Sequence, residues 1–182
     1  MYHNLTCIQF IQHSTEKDFV TILKNPTGCW SSLGRIGGKQ ILNLQSPMCL
    51  LKVGTTIHEL MHVLGFNHEH TREDRDEYVE INWKNIPTDS YRNFGKSTPN
   101  STDTFNIKYD YESVLHYSPF AFAMDLFKPT LVPLKKIGLS KMGQRDGLSK
   151  LDISKIWKMY KCKTTTENLR KNNKNTRFRY YT

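Results

Sequence analysis

The sequence predicts an α+β fold, and three observations carry that prediction. Short runs rich in β-branched and aromatic residues crowd the first 44 positions, two later stretches show apolar residues at helical spacing, and a long middle portion shows neither period. At 182 residues, 37% hydrophobic and 12% aromatic, the chain suits one domain that buries about 70% of its unfolded surface.

Taken in order, Ile8 to Phe10 and Phe19 to Leu23 read as strands, separated by a polar stretch and closed by Asn25-Pro26-Thr27-Gly28. Trp30 to Leu33 and Gln40 to Leu44 read as two more, with a glycine-rich turn between them. A helix is expected from about Thr55 to Leu64, with Thr55 or Thr56 as its N-cap. Residues 74–133 read as loop-rich. The last helix, Ser149 to Tyr160, places Leu151, Ile153, Ile156, Trp157 and Tyr160 on one stripe, and Ser149 with Asp152 forms a capping box.

The run from His58 to His68 carries the chemistry. His58 and His62 stand four residues apart, so on a helix both project from one face toward a single ion. Gly65 can leave the helix with positive φ, and that turn brings His68 back as a third nitrogen ligand. Three protein ligands leave one position open for water, the arrangement of a catalytic zinc, and Glu59 beside the first ligand suits a general base. A helix whose Leu60, Met61, Val63 and Leu64 merely face a core would leave the three histidines to coincidence.

The four cysteines form no Cys-x-x-Cys pair, which argues against a thiolate zinc knuckle and for two disulfides in an oxidising compartment. Three pairings are possible from sequence alone. No apolar run reaches membrane-spanning length, and the opening residues lack the pattern of a signal peptide. The net charge is +9, and Lys163, Arg170, Lys171, Lys174, Arg177 and Arg179 against Glu167 place +5 of it in residues 163–182. That segment reads as a solvated, disordered tail, with binding to a polyanion as the alternative; a nucleic-acid partner is not expected. Asn4 and Asn100 lie in glycosylation patterns.

From His58 through Glu69, His70, Arg72, Asp74, Arg75 and Asp76 the chain resembles the signature of the astacin family of zinc endopeptidases, a branch of the metzincins. Cys29 to Arg35, Ser113 to Tyr117, and Gly143 to Ser149 with Tyr160 to Cys162 extend the resemblance over most of the chain. It implies a secreted protease acting on proteins or peptides, with a two-lobed zincin-like catalytic domain over residues 1–162. That domain has a small twisted sheet, a zinc helix, an irregular lower lobe and a C-terminal helix. It also implies disulfides Cys7–Cys162 and Cys29–Cys49, one zinc ion held by His58, His62 and His68, and Glu59 as proton shuttle. Tyr117 is implied as a phenol that binds zinc at rest and swings away to stabilise the oxyanion. Trp30 falls on the strand that pairs with an extended substrate, and Arg145 where relatives carry a basic residue facing the side chain after the scissile bond. His70 and His116 are read as structural or solvent-facing, and the Arg72 to Asp76 charges as ion pairs that fix the loop after His68.

Two departures stand out. Leu115 occupies the place of the family's methionine floor, a change of similar volume expected to cost under about 1.5 kcal/mol. Only six residues precede Cys7, where the family has a strand and a long helix. An N-terminally truncated domain is therefore expected, with apolar surface of the sheet and metal helix exposed and Glu69 deprived of the buried N-terminus that faces it in relatives. A catalytically inactive product, acting at most as a binding module, is the alternative function.

Overall fold

The computed structural model describes residues 1–98, 101–137, 141–163 and the strand at 177–181. The chain divides into two compact units, one of Met1–Phe66 with Arg145–Thr182, the other of Asn67–Gln144.

The first unit opens with a short helix α1 (Tyr2–Leu5) and contains strands β1 (Gln9–Gln12), β2 (Phe19–Leu23), β3 (Cys29–Ser31) and β4 (Lys39–Leu44). Next comes the metal helix α2 (Val53–Val63). Val20, Leu42, Leu44, Cys49 and Val63 form the core between sheet and helix, with Ile22, Cys29 and Leu60 packed against it. The C-terminal helix α3 (Lys150–Met159) starts at the expected capping box, in which the Asp152 N–H donates to Ser149 Oγ at 2.9 Å and the Ser149 N–H donates to the Asp152 carboxylate at 3.0 Å.

In the second unit, β5 (Val79–Ile81) and β6 (Leu131–Pro133) form an antiparallel pair. Val79, Ile86, Phe94, Tyr109, Tyr111, Leu131 and Met142 are its core. These two strands fall in the stretch read as loop. Three-residue strands about fifty positions apart carry no local period, so only their burial reveals them.

Strand β7 (Arg177–Tyr181) completes the first unit's sheet, whose order is β1-β7-β2-β4-β3. It lies parallel to both β1 and β2, while β3 alone runs antiparallel. Charge composition favours solvated chain for the segment, yet Arg-Phe-Arg-Tyr-Tyr carries the aromatic bias of a strand, and pairing on two sides satisfies its backbone. Residues 164–176 and 182 lie outside the described residues, as does Asn100; Asn4 is exposed on α1.

Disulfides join Cys7 to Cys162 and Cys29 to Cys49, as the resemblance implies. The first spans 155 residues, which in the chain-entropy treatment removes about 5 kcal/mol of denatured-state freedom. It ties the end of α3 to the residues after α1, where the Trp157 indole N–H also donates to the Leu5 carbonyl at 2.8 Å.

The expected exposure of the metal helix is confined to its start: Val53 is 64% exposed, whereas Ile57, Met61 and Leu64 are all buried, and so is Tyr2 of α1, whose hydroxyl donates to the Ile57 carbonyl at 2.8 Å. Among the described residues, no helix is long and apolar enough to cross a membrane.

Candidate metal centre

Helix α2 begins two residues before the expected Thr55, at an N-cap, Lys52, that supplies no side-chain hydrogen bond. Its first free N–H groups are satisfied another way: the Gly54 N–H donates to the Arg145 carbonyl at 3.0 Å. A Cβ on Gly54 would stand 2.1 Å from the backbone carbon and oxygen of Arg145, so this close approach requires glycine despite its poor helix propensity. The same contact seats Arg145 beside the metal helix.

At the other end, Gly65 takes φ +98, as its position predicts. The Gly65 N–H donates to the His62 carbonyl at 2.8 Å and the Phe66 N–H to the Met61 carbonyl at 3.3 Å, the paired bonds of a Schellman turn. Two further donors hold this end of the helix: Gly34 N–H to the His62 carbonyl at 2.9 Å, and the Tyr160 hydroxyl to the Leu64 carbonyl at 2.8 Å.

The turn also fixes a tautomer. His62 Nδ1 lies 2.7 Å from the Phe66 carbonyl. A carbonyl only accepts, so Nδ1 carries the proton and Nε2 presents its lone pair. That Nε2 stands 3.0 Å from Nε2 of His58. Two nitrogens about 2.0–2.1 Å from a tetrahedral ion lie about 3.4 Å apart, so the pair stands a few tenths of an ångström closer than co-ligands of one ion. One donor atom from each of His58, His62 and His68 falls within 4.8 Å of the other two. Three imidazoles converging on a point, with one tautomer set by a backbone carbonyl, fit a zinc ion and leave room for a non-protein ligand. Burial holds His62 below the ordinary histidine pKa and so favours the neutral form a ligand needs, against the opposing pull of its bond to Phe66.

Glu59 is buried beside His58, and the Ser31 hydroxyl donates to its main-chain carbonyl at 2.9 Å. Burial pushes the Glu59 carboxyl up to about 7 in the metal-free protein, against the opposing pull of Ser31 and of the positive charge on Arg145. A carboxyl with its pKa near neutrality can accept a proton and release it again.

In the second unit, Glu69 follows His68 directly. Deprived of an N-terminal partner, it is nonetheless not left unpaired as that loss would imply: Glu69 Oε1 accepts from Arg72 Nη1 at 3.0 Å and from the Asp110 N–H at 2.9 Å. Arg72 also forks onto both oxygens of Asp74, and Arg75 reaches Asp76 with one nitrogen while Nη1 donates to the carbonyls of His70 and Phe94. The alternating charges after His68 thus brace the loop that carries the third ligand. Leu115 is buried, and its carbonyl accepts from the Glu69 N–H at 3.2 Å.

Tyr117 packs its ring edgewise against His68, centroids 4.6 Å apart. Its neighbour His116 is fully buried, with Nδ1 on the Tyr117 carbonyl at 2.7 Å and Nε2 at 2.7 Å from the Tyr109 hydroxyl. Trp30 lies on β3, the terminal strand of its sheet, with its indole N–H donating to Thr27 Oγ1 at 3.0 Å. Sequence reasoning missed Ser31, Gly54 and the Phe66 carbonyl. Of these only Gly54 leaves a signal, a glycine in the first turn of a helix that has no turn to make.

The Glu59 carboxyl predicts a pH effect. A folded pKa of about 7 against 4.5 for the free group means that stability fully present below pH 4.5 is lost as pH rises through 7. Metal-free Glu59→Gln should therefore gain on metal-free wild type by roughly 3 kcal/mol between pH 4 and pH 8. Urea unfolding at both pH values checks this, and a difference independent of pH would contradict it.

The profile of the Astacin peptidase family matches residues 1–161. Zinc metalloproteinase nas-13 of Caenorhabditis elegans is 46% identical over 166 residues, which are 91% of this chain and 36% of that protein. The astacin-like metalloendopeptidase of Coturnix japonica is 42% identical over 161 residues, 88% of this chain and 38% of that protein. Among solved structures, high choriolytic enzyme 1, a hatching enzyme zinc-protease from the medaka Oryzias latipes, superposes with TM-score 0.83 at 41% identity, covering 89% of this chain and 78% of that one. The α+β zinc-protease fold is thereby established. The chain spans 36–58% of the length of the curated relatives it matches.

Proposed function

We propose that this chain, which belongs to the astacin family of peptidases, hydrolyses internal peptide bonds of proteins with one zinc ion as cofactor. The observation that carries the reading is the convergence of His58, His62 and His68 on one point, with the buried Glu59 following His58 directly in the chain. When bound there, zinc supplies a Lewis acid that brings the pKa of water to about 7 and polarises a carbonyl.

The chain's own residues do the rest. The three histidines hold the ion, His62 in the tautomer set by Phe66. Glu59 takes a proton from the attacking water and delivers it to the leaving amine nitrogen. The Tyr117 hydroxyl donates to the oxygen on which negative charge develops. As the terminal strand of its sheet, β3 offers main-chain groups to an extended substrate, with Trp30 along its length. Arg145 favours Asp or Glu just after the cleaved bond. Residues 1–162 form the catalytic domain, whose sheet β7 joins, and the basic residues of 163–182 are able to bind polyanions. Two disulfides and the family's hatching enzymes support an extracellular location. Among the described residues, nothing favours a binding module without catalysis.

Glu59→Ala should lower casein cleavage by about 10²–10⁴ while one zinc per chain is retained. Equal cleavage by the variant would overturn the assignment of the base. Cleavage profiling of a peptide library should show Arg145→Gln losing about fivefold preference for acidic residues after the scissile bond, the worth of a partly exposed pair near 1 kcal/mol; an unchanged profile would remove Arg145 from the site. Heparin retention should fall when Lys163, Arg170, Lys171 and Lys174 are replaced by Gln, and unchanged retention would count against the polyanion reading.

A further inference from the structure

Between Tyr117 and β6 the second unit carries an exposed apolar loop. In the run from Phe120 to Phe127, Phe120, Phe122, Met124, Leu126 and Phe127 are large and apolar, and all are exposed. Exposure climbs along the run, from 45% at Phe122 through 60% at Met124 and 73% at Leu126 to 97% at Phe127. A phenyl ring that exposed touches almost nothing of its own chain, so packing does not account for it.

The tip is nevertheless built. Asn85, itself buried, accepts the Asp125 N–H on Oδ1 at 2.8 Å and donates from Nδ2 to the carbonyls of Asp125 at 3.0 Å and Lys128 at 2.6 Å. Its own carbonyl accepts from the Met124 N–H at 2.9 Å. Asp125 closes the turn: its carboxylate accepts the Phe127 N–H at 2.9 Å and pairs with Lys128 Nζ at 3.0 Å, and its carbonyl accepts from the Lys128 N–H at 3.1 Å. A turn pinned in this way holds Leu126 and Phe127 outward. It also gives several backbone groups of the tip partners of their own, which favours leaving water for hydrocarbon, where none are on offer.

Behind the tip the surface changes character. Buried Phe94 is met by Phe122 at 5.9 Å and by Trp83 at 6.3 Å, and Trp83 in turn meets Tyr91 at 5.1 Å. Trp83 and Tyr91 are each 38% exposed, so an amphipathic surface continues from the loop. Lys84 and Arg92, next to them in the chain, are exposed cations, as is Lys128 at the end of the tip. Hydrocarbon side chains outermost, aromatic residues with a polar edge behind them and cations alongside match a bilayer's acyl chains, interface and phosphates. A protein pocket for Leu126 and Phe127 would require only the first of these.

We propose that the loop is a membrane-docking element. Met124, Leu126 and Phe127 enter the acyl region of a phospholipid bilayer, Trp83 and Tyr91 lie at its interface, and Lys84, Arg92 and Lys128 meet phosphate headgroups. The association is peripheral and reversible, since a few side chains bury far less than a spanning helix. No step of peptide hydrolysis enters it, so it stands or falls apart from the zinc-protease reading.

The test sediments the full chain with vesicles of phosphatidylcholine, and with vesicles that add about one-fifth phosphatidylserine. Wild type should bind both, and the second more tightly. Leu126→Ser/Phe127→Ser should weaken binding to either by about tenfold or more, with casein cleavage unchanged. Leu51→Ser, at a residue 77% exposed in the first unit, should bind as wild type does. Lys84→Gln/Arg92→Gln should lose about tenfold on the phosphatidylserine vesicles and less on phosphatidylcholine alone. Phe127→Trp should show blue-shifted emission that lipids brominated on their acyl chains quench.

Binding that survives in Leu126→Ser/Phe127→Ser, or that needs phosphatidylserine and ignores that change, would assign the attraction to basic residues and overturn the proposal. An unshifted, unquenched Phe127→Trp would also overturn it. If wild type binds neither vesicle, the loop is not a lipid site. A concentration-dependent dimer of the vesicle-free chain that the serine variant abolishes would then make a second copy its occupant.

Discussion

The end of helix α2 is the constraint on which the site depends. Within eleven residues, from His58 to His68, the chain must present two imidazoles from one helical face, stop the helix, and reverse far enough to return a third. Gly65 makes this possible because φ +98 is open to it at little cost, whereas a side chain there would be strained and would press on Met159 at 3.2 Å. The turn also does chemical work: it points the Phe66 carbonyl at His62 Nδ1, so one backbone geometry both ends the helix and sets the protonation of a ligand. Gly34 and Tyr160 secure the same end from the turn between β3 and β4 and from the C-terminal segment. The Cys7–Cys162 bridge then anchors the segment that carries Tyr160.

Electrostatics divides between the two units. In the first, a buried carboxyl stands beside the ligands with few groups to stabilise its charge, and its pKa rises accordingly. In the second, Glu69, Arg72, Asp74, Arg75 and Asp76 neutralise one another and bond to backbone groups of the ligand loop. Removing one partner from such a set leaves a buried charge unanswered, which is costly even where the intact pair adds little. One cluster is arranged to exchange a proton, the other to hold still.

Local chemistry made the site legible in the sequence. The spacing of His58, His62 and His68, the glycine at 65 and the Ser149–Asp152 capping box are all written within a few residues, and each appears in the structure where the pattern places it. The four strands of the first unit before α2 were legible to within two residues for the same reason. What could not be read depends on distance along the chain. The start of α2 is satisfied by a carbonyl ninety-one residues later, at Arg145, and not by Thr55 or Thr56. Glu69 finds its partner at Asp110, and β5 finds β6 across some fifty residues. The cysteine pairing came from family likeness, since spacing alone allowed three answers. Strand β7 was hidden by its charge, because composition reports solvation and not the chance of pairing on two sides.

The central claim is that three neutral imidazoles share one zinc ion. X-ray absorption of the zinc-loaded chain reads it most directly. The structure predicts about one zinc per chain with a first shell of nitrogen and oxygen near 2.0–2.1 Å and the outer-shell scattering of three imidazole rings. A shell fitted by one imidazole or none, or a chain that binds no zinc, would contradict it.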